Sequence, residues 1–465
     1  FDATAFVLSN ALTNPSAQLT VATAPRFTAI DRVPQSILLP APPAKFPATY
    51  PDAFAITNGL DDTLVPPYSM SLNLTAGREF RGGLYVQASY LGRLSRRSLV
   101  RRDAAMPTDL KDPKSGQTYF EAATMLSRMA VAEVPAANVA KIPFWENMFS
   151  KIATSSQTAT QVAYSRYAAN LWDWTYALYQ MDTGAGQGNC AARNRCSNLG
   201  PYTFFHPQYS YLSVFSSVGG GNYHSAQVTV RKRFSGGDSI DANYTLSKSI
   251  DLRSLTETYP TSSSGVLWNP WQPGLMKGVS DYDTTHILTM NGVYSLPVGR
   301  GKRYGGGISR AVDALVGGWQ LAGGWRWSSG FPISVFSSGV WPTNWNNNNW
   351  ALWNGTPVVT RQTKNAPAIA GQGGPNMFPD PRVAIKAFGP EYPGGIGTRN
   401  PLRGDGVFNI DTSVSKRFQM PYHEKHSLQF RWEVFNLTNT TVFDVDDVSL
   451  DVAVPGTFGK YTSTL

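Results

Sequence analysis

Eight segments of this chain alternate apolar and polar residues, and that pattern excludes most folds. They are YSMSLNLTAGREF (68–80), GLYVQASYLGRL (83–94), YHSAQVTVRKRF (223–234), SIDANYTLSKSI (239–250), THILTMNGVYSL (285–296), GWQLAGGWRWSSGFPISVF (318–336), VFNIDTSVSKRF (407–418) and HSLQFRWEVFNL (426–437). Successive side chains of a strand point to opposite faces, so period-two patterning makes one dry face and one wet face. In 239–250, Ile240, Ala242, Tyr244 and Leu246 share one face, and Asp241, Asn243, Thr245 and Ser247 share the other. In the segment before it, Ala226, Val228, Val230 and Phe234 oppose Gln227, Thr229, Arg231 and Arg233, with Lys232 the one break on the apolar side. A β-sandwich with solvated outer faces gives the same alternation, so the faces alone do not decide.

The connections do decide. Arg81, Gly82 and Gly83 join the first two segments, SGGD (235–238) joins the next pair, and PYHEK (421–425) joins the last. Between these tight links, 95–222, 251–284 and 337–406 run far longer. The link 297–317 is intermediate and carries a short helical pattern, ISRAVDALV. Short and long connections in alternation are the mark of an outer-membrane barrel, with tight periplasmic turns and large outer loops. Strands of about 12 residues also suit a tilted membrane crossing better than a sandwich of shorter strands. The expected fold is all-β: an antiparallel up-and-down transmembrane β-barrel portion of about eight strands over 68–438. Its dry face would meet lipid, and Phe234, Trp319, Phe336, Phe408 and Phe418 near strand ends would sit in the interfacial girdles.

Composition is consistent with this. Aromatic residues make up 12% and charged residues only 15%. The net charge of +9 is spread thinly; the densest basic run is Arg93, Arg96, Arg97, Arg101 and Arg102, with no context that suggests nucleic-acid binding. No stretch of 18 apolar residues exists, which excludes a transmembrane helix but not a barrel. The chain starts at Phe1 without a signal-peptide pattern, so a processed product or a piece of a longer protein is expected.

Outside the strands, 1–67 is Pro-rich (LLPAPPAKFPATYP) and reads as an extended outer segment, and 439–465 as a further outer loop. Within 103–181, GQTYFEAATMLSRMAVA, PFWENMFSKIA and ATQVAYSRYAANLWDWTYALYQM read as three helices of a small cap, with Tyr167, Leu171, Trp174 and Leu178 on one face. Cys190 and Cys196, in GNCAARNRC, suggest a local disulfide in an oxidising compartment; two free thiols are the alternative.

Motifs for chemistry are sparse. His206, His224, His286, His423 and His426 are scattered, and neither G-x-S-x-G nor H-E-x-x-H occurs. VGRGKRYGGG lacks the Ser/Thr of a P-loop and reads as a basic turn near lipid phosphates. Asp444, Asp446, Asp447 and Asp451 miss the spacing of an EF-hand. No catalytic residue, metal or cofactor is expected. One loop could bind: in GVWPTNWNNNNWALWNG (339–355), Trp341, Trp345, Trp350 and Trp353 stand among Asn residues, rings and amides suited to a sugar or peptide. The alternative is that these rings pack the loop onto its neighbours.

The blocks NYHSAQVTVRKRFSGGDSIDANYTLSKSID, DTTHILTMNGVYSLPVGRGKRYGG, VGGWQLAGGWRWSSGFPISV, FNIDTSVSKRF and HSLQFRWEVFNLTN occur in the order of Oar-like TonB-dependent outer-membrane receptors. The chain resembles that family from about Pro34 to its end, closest to the acidobacterial type whose full chains carry a carboxypeptidase-regulatory-like N-terminal domain. The resemblance implies a 22-stranded barrel, a plug, and contact with a TonB complex. Nothing here resembles the plug or TonB box, and the chain stops at FGKYTSTL rather than in a last aromatic strand. It is therefore expected to be the C-terminal barrel portion of a longer receptor in the bacterial outer membrane; an independent eight-stranded barrel is the alternative. The expected partners are outer-membrane lipid, a TonB complex reached through the missing N-terminal part, and an unknown nutrient ligand such as an oligosaccharide, peptide or chelated metal. The other functional readings are a surface structural or adhesion protein reusing the barrel, and a soluble carbohydrate-binding β protein.

Overall fold

The computed structural model describes residues 55–183, 190–207, 209–234, 237–254, 266–338, 343, 349–369, 372–420, 426–444 and 447–464. Eight long strands follow one another: β1 (Tyr68–Phe80), β2 (Leu84–Asp103), β3 (Tyr209–Arg233), β4 (Ser239–Asp251), β5 (His286–Ser295), β6 (Trp319–Ser328), β7 (Val407–Gln419) and β8 (Ser427–Val434). Each pairs antiparallel with its sequence neighbour, in the order β1-β2-β3-β4-β5-β6-β7-β8. Among the described residues, β1 and β8 pair on one side only. This is the up-and-down antiparallel wall that the alternation and loop lengths imply.

Register turns eight separate patterns into two continuous faces. Val86 lies opposite Val230, then Ala242, Met290, Trp325 and Ile410 in turn, an apolar row crossing six strands. One residue along, Gln87, Thr229, Asn243, Thr289, Arg326 and Asn409 form a polar row. A slip of one residue at any seam would set a polar row against an apolar one, so the patterning pins the register.

The apolar face ends in polar aromatics and bases. Towards the long loops, Tyr90 bonds His224 (2.7 Å) and Tyr244 bonds His286 (2.8 Å), and His286 stacks on Trp327. Towards the short turns, Arg78 lies over Phe80, Lys232 over Phe234, and Lys416 over Trp319 and Phe418. Long basic side chains can keep their stems on an apolar surface and their heads at its polar edge, which accounts for Lys232 breaking the apolar pattern. Phe234, Trp319, Phe408 and Phe418 do lie near strand ends on this face. Phe336 does not. It pairs with Trp350 in a separate two-stranded sheet and donates its N–H to Leu450 O, so it belongs to the loops.

Two strands outrun their sequence pattern. At about 3.3 Å per residue, the 25 residues of β3 exceed any bilayer crossing. Its first part, YSYLSVFSSVGGGN, pairs with β2 on one side and with the parallel strand Ala55–Leu60 on the other. Ser210, Tyr211, Ser213, Val214 and Ser216 are all buried, so both faces are covered and alternation vanishes. The Arg run is drawn into this layer. Arg97 takes φ 58° at a register shift, and across from it Gly219 has no room for a side chain: a Cβ would lie 2.5 Å from Val100. Arg101 is buried and donates to Ser213 Oγ at 2.9 Å, while Arg102 pairs with Asp61 at 2.7 Å. These cations brace a sheet.

The helical insertion holds α1 (Tyr119–Val131), α2 (Pro143–Met148), α3 (Ala159–Ala169) and α4 (Trp174–Asp182). The third expected helix is thus two. Asn170 ends α3, Trp172 takes φ 78°, and the Asp173 carboxylate caps α4 by accepting from Tyr176 N. Leu171 falls in that break and is exposed, whereas Tyr167, Trp174 and Leu178 are fully buried. Thr118 with Glu121, and Thr158 with Gln161, form capping boxes that start α1 and α3. The insertion has its own aromatic core of Tyr119, Phe144, Trp145, Phe149, Tyr167 and Phe204. A second core unites 333–402 with 443–461, where Phe378 stacks on Phe458 and Phe443 on Tyr461.

Candidate functional site

The polar face of the wall is a hydrogen-bonded lattice. Tyr85 OH donates to Gln87 Oε1 (2.7 Å), whose amide donates to Ser89 Oγ (3.2 Å). Thr229 Oγ1 donates to Asn243 Oδ1 (2.9 Å), and Asn409 Nδ2 to Asp411 Oδ2 (2.9 Å). Arg231 pairs with Asp241 (2.9 Å), and Arg431 with Glu433. Asp241, Asn291, Asp411, Ser413, Arg431 and Glu433 surround a recess on this face, above the glycines Gly323 and Gly324. Both partners of each ion pair stay accessible, so donors, acceptors and charges of both signs remain free to meet a solute.

Above the wall the long loops converge on a buried clamp. Arg399, 2% exposed at its side chain, pairs with Asp251 (2.7 Å) at the end of β4 and with Asp281 (3.1 Å), and donates to Met276 O and Ser254 Oγ. Asn400 donates to the same Asp281 and to Val279 O, each at 2.7 Å. Arg403 pairs with Asp283, which is fully buried. The segment 391–403 is thereby bolted to the loop that follows β4. The helical cap docks on the same segment. Trp174 Nε1 donates to Glu391 O (3.3 Å) and Arg128 lies over the Tyr392 ring, while from the loop after β4 Asn269 Nδ2 donates to Gly394 O (2.7 Å). Gly394 sits at φ 84°, and a Cβ there would meet Phe120 at 2.5 Å, so the close approach requires glycine.

Burial tunes carboxyls here. Asp182 accepts N–H bonds from Thr203 (2.8 Å), Phe204 (3.0 Å) and Phe205 (2.9 Å), tying α4 to the chain returning to β3. Desolvation outweighs those donors and pushes its pKa up to about 6. Burial likewise raises Asp173 to about 6 and lifts Glu391. Asp112 goes the other way: bonds from Asn147, Ser115 and backbone N–H groups outweigh its desolvation and hold it at about 2.

The Trp-rich loop divides. Trp341 and Trp345 lie outside the described residues. Trp350 is 2% exposed and packs against Trp268 (centroids 4.4 Å apart) beneath Arg253 and Arg399, so it packs the loop core and offers no face to a ligand. Trp353 is half-buried, with its Nε1 donating to Thr356 O (2.8 Å). The structure joins Cys190 to Cys196, with Cα atoms 4.7 Å apart, in the segment that follows α4. Asp446 and His423 are outside the described residues, Asp447 accepts from Ser463 Oγ, and Asp451 accepts from the backbone N–H groups of Ala453 and of the distant Ser338. The clamp of Arg399, Asp251, Asp281 and Asp283 escapes sequence reading because its members stand far apart in the chain and carry no motif.

The model of the outer membrane β-barrel domain family matches residues 2–465. No curated protein matches the chain. Among solved structures, the outer membrane transporter YddB from Escherichia coli is similar at 8% identity and a TM-score of 0.34, over 89% of this chain and 32% of that one. The chain thus spans about a third of the length of that transporter. By the family match, which runs almost end to end, this chain belongs to the outer membrane β-barrel domain family and resides in the outer membrane.

Proposed function

We propose that the chain is part of the barrel of a TonB-dependent receptor of the Oar-like type, which imports a bulky polar nutrient. In this reading the eight strands are a section of a larger barrel. The apolar rows face lipid, the polar lattice faces the lumen, and the clamped loops with their helical cap form the entrance. The observation that carries it is the polar lattice lying beneath a roof of loops clamped to one another. A lumen with accessible groups of both signs suits oligosaccharides, peptides or chelated metals over apolar solutes. The protein's part is binding and gated passage, with energy delivered through a plug and a TonB complex. Of the Trp positions singled out in the sequence, Trp341, Trp345 and Trp353 remain candidate contacts, and of these Trp353 alone lies among the described residues.

The test is growth and uptake by cells carrying the intact gene, with oligosaccharide, peptide and siderophore-type substrates supplied singly. Uptake of one class that stops on deletion of the gene, and also on removal of TonB or the proton-motive force, is the expected result. Uptake that persists without the gene would sink the import reading. Loss of surface attachment with uptake unaffected would favour an adhesive role.

A further inference from the structure

The connection between β5 and β6 is longer than a turn requires, and its surplus has a shape. Ser309 caps a helix, α5 (Arg310–Val316), by accepting from Val312 N at 3.3 Å. None of its seven residues is buried. Val312, Leu315 and Val316 share one face by their three- and four-residue spacing, and are 45%, 71% and 41% exposed. Seven residues are too few for a helix to hold by itself in water.

Its attachment shows which side of the wall it occupies. Trp319 Nε1 donates to Leu315 O (2.9 Å), and Lys416 Nζ donates to Asp313 O (3.3 Å) and Gly317 O. Trp319 and Lys416 stand opposite each other on the apolar face, next to Phe430. The helix is therefore tied to the apolar side of the wall's short-turn edge, and Val312, Leu315 and Val316 are exposed there. Around it Arg300, Lys302, Arg303 and Arg310 are all exposed. The one acid, Asp313, takes the backbone N–H of Arg300 at 2.6 Å.

We propose that α5 and its basic loop dock on anionic phospholipid of the periplasmic leaflet. Leu315, Val312 and Val316 lie among the acyl chains near the headgroups, and the four cations hold headgroup phosphates. The inference rests on the apolar face being lipid-facing, as proposed above.

The test reconstitutes the full-length protein in bilayers of phosphatidylcholine and phosphatidylglycerol. Cys190 and Cys196 are paired, so a bimane label goes to a single introduced cysteine. Labels at Leu315→Cys, at Ala314→Cys on the opposite helix face, and at Leu321→Cys on the wall are quenched with brominated lipids. Strong quenching at 315 and 321 and weak quenching at 314 is expected, with brominated phosphatidylglycerol more effective than phosphatidylcholine at 315. Replacing Arg300, Lys302, Arg303 and Arg310 by Gln lowers that preference by at least about fivefold, the worth of one surface cation at an anionic membrane. Equal, weak quenching at 314 and 315 with strong quenching at 321 means that solvent or a protein covers the helix, and overturns this inference alone. Absence of quenching at 321 overturns the lipid-facing reading and this inference with it. A preference that survives the Gln variant overturns the role of the cations.

Discussion

The assignment of faces can be tested by charging two adjacent residues of β5. Met290 lies in the apolar row Val86–Val230–Ala242–Met290–Trp325–Ile410, and Asn291 in the neighbouring polar row with Asp241 and Asp411. Met290 is the fifth of the ten residues of β5, so it stands near the middle of the crossing. At about 3.3 Å per residue and a tilt near 40°, each residue advances about 2.5 Å along the membrane normal, so five residues put Met290 about 12 Å from either interface. An Arg side chain cannot snorkel that far, and on the lipid face at this depth it costs about 2–4 kcal/mol. Met290→Arg is therefore expected to destabilise the barrel by that amount. Asn291→Arg, facing the lumen beside Asp241 and Asp411, is expected to change stability by about 0.5 kcal/mol or less. Guanidinium titrations of the full-length protein refolded in vesicles, followed by tryptophan fluorescence and heat-modifiable gel mobility, measure both. Equal costs, or a greater cost for Asn291→Arg, would refute the argument from register.

Three further outcomes follow from the loops. Arg399→Ala leaves Asp251 buried without its cation and is expected to cost about 3–5 kcal/mol, seen as faster hydrogen exchange in 278–283 and 391–403 with the strands still protected. Trp350→Ala empties a fully packed site and is expected to cost about 3–5 kcal/mol locally, while Trp353→Ala leaves exchange nearly unchanged; equal effects would mean that Trp350 is no core residue. Asp182 has a folded pKa of about 6, above the ordinary carboxyl value of 3.8, so the folded cap keeps a proton that the opened cap releases. The Asp182 contribution to cap stability is then highest below about pH 4 and falls by up to about 3 kcal/mol as pH rises to 6, in the same sense as that of Asp173; Asp182→Asn makes the profile shallower, and a cap better protected at pH 7 than at pH 4 would contradict it.

The strands were legible because half of each is wet. An alternating surface writes its period into the sequence, and short turns between long loops state how the strands connect. The same physics hid the rest. The first half of β3 is covered on both faces, so YSYLSVFSSVGGGN shows no period, and the break between α3 and α4 turns on Trp172 at positive φ, which no periodicity announces. Trp350 and Trp353, three residues apart in one Asn-rich loop, have the same sequence context; Trp268 and Arg399 bury one of them and not the other. The dense Arg run carries no sign of its partners in the sequence, because Ser213 and Asp61 come to Arg101 and Arg102 from distant segments.

By itself, then, the sequence determined an antiparallel wall with two unlike faces and the end on which its large loops stand. Those properties are local, set by side-chain period and link length. The alternation forbids a slip of one residue, and tertiary structure decided the rest: which in-phase register aligns Val86 with Ile410 across six strands, the clamp on Arg399, and the side of the wall to which α5 is tied through Lys416. Each of these joins residues far apart in the chain. Only the packing of neighbouring strands and loops brings them within hydrogen-bonding distance.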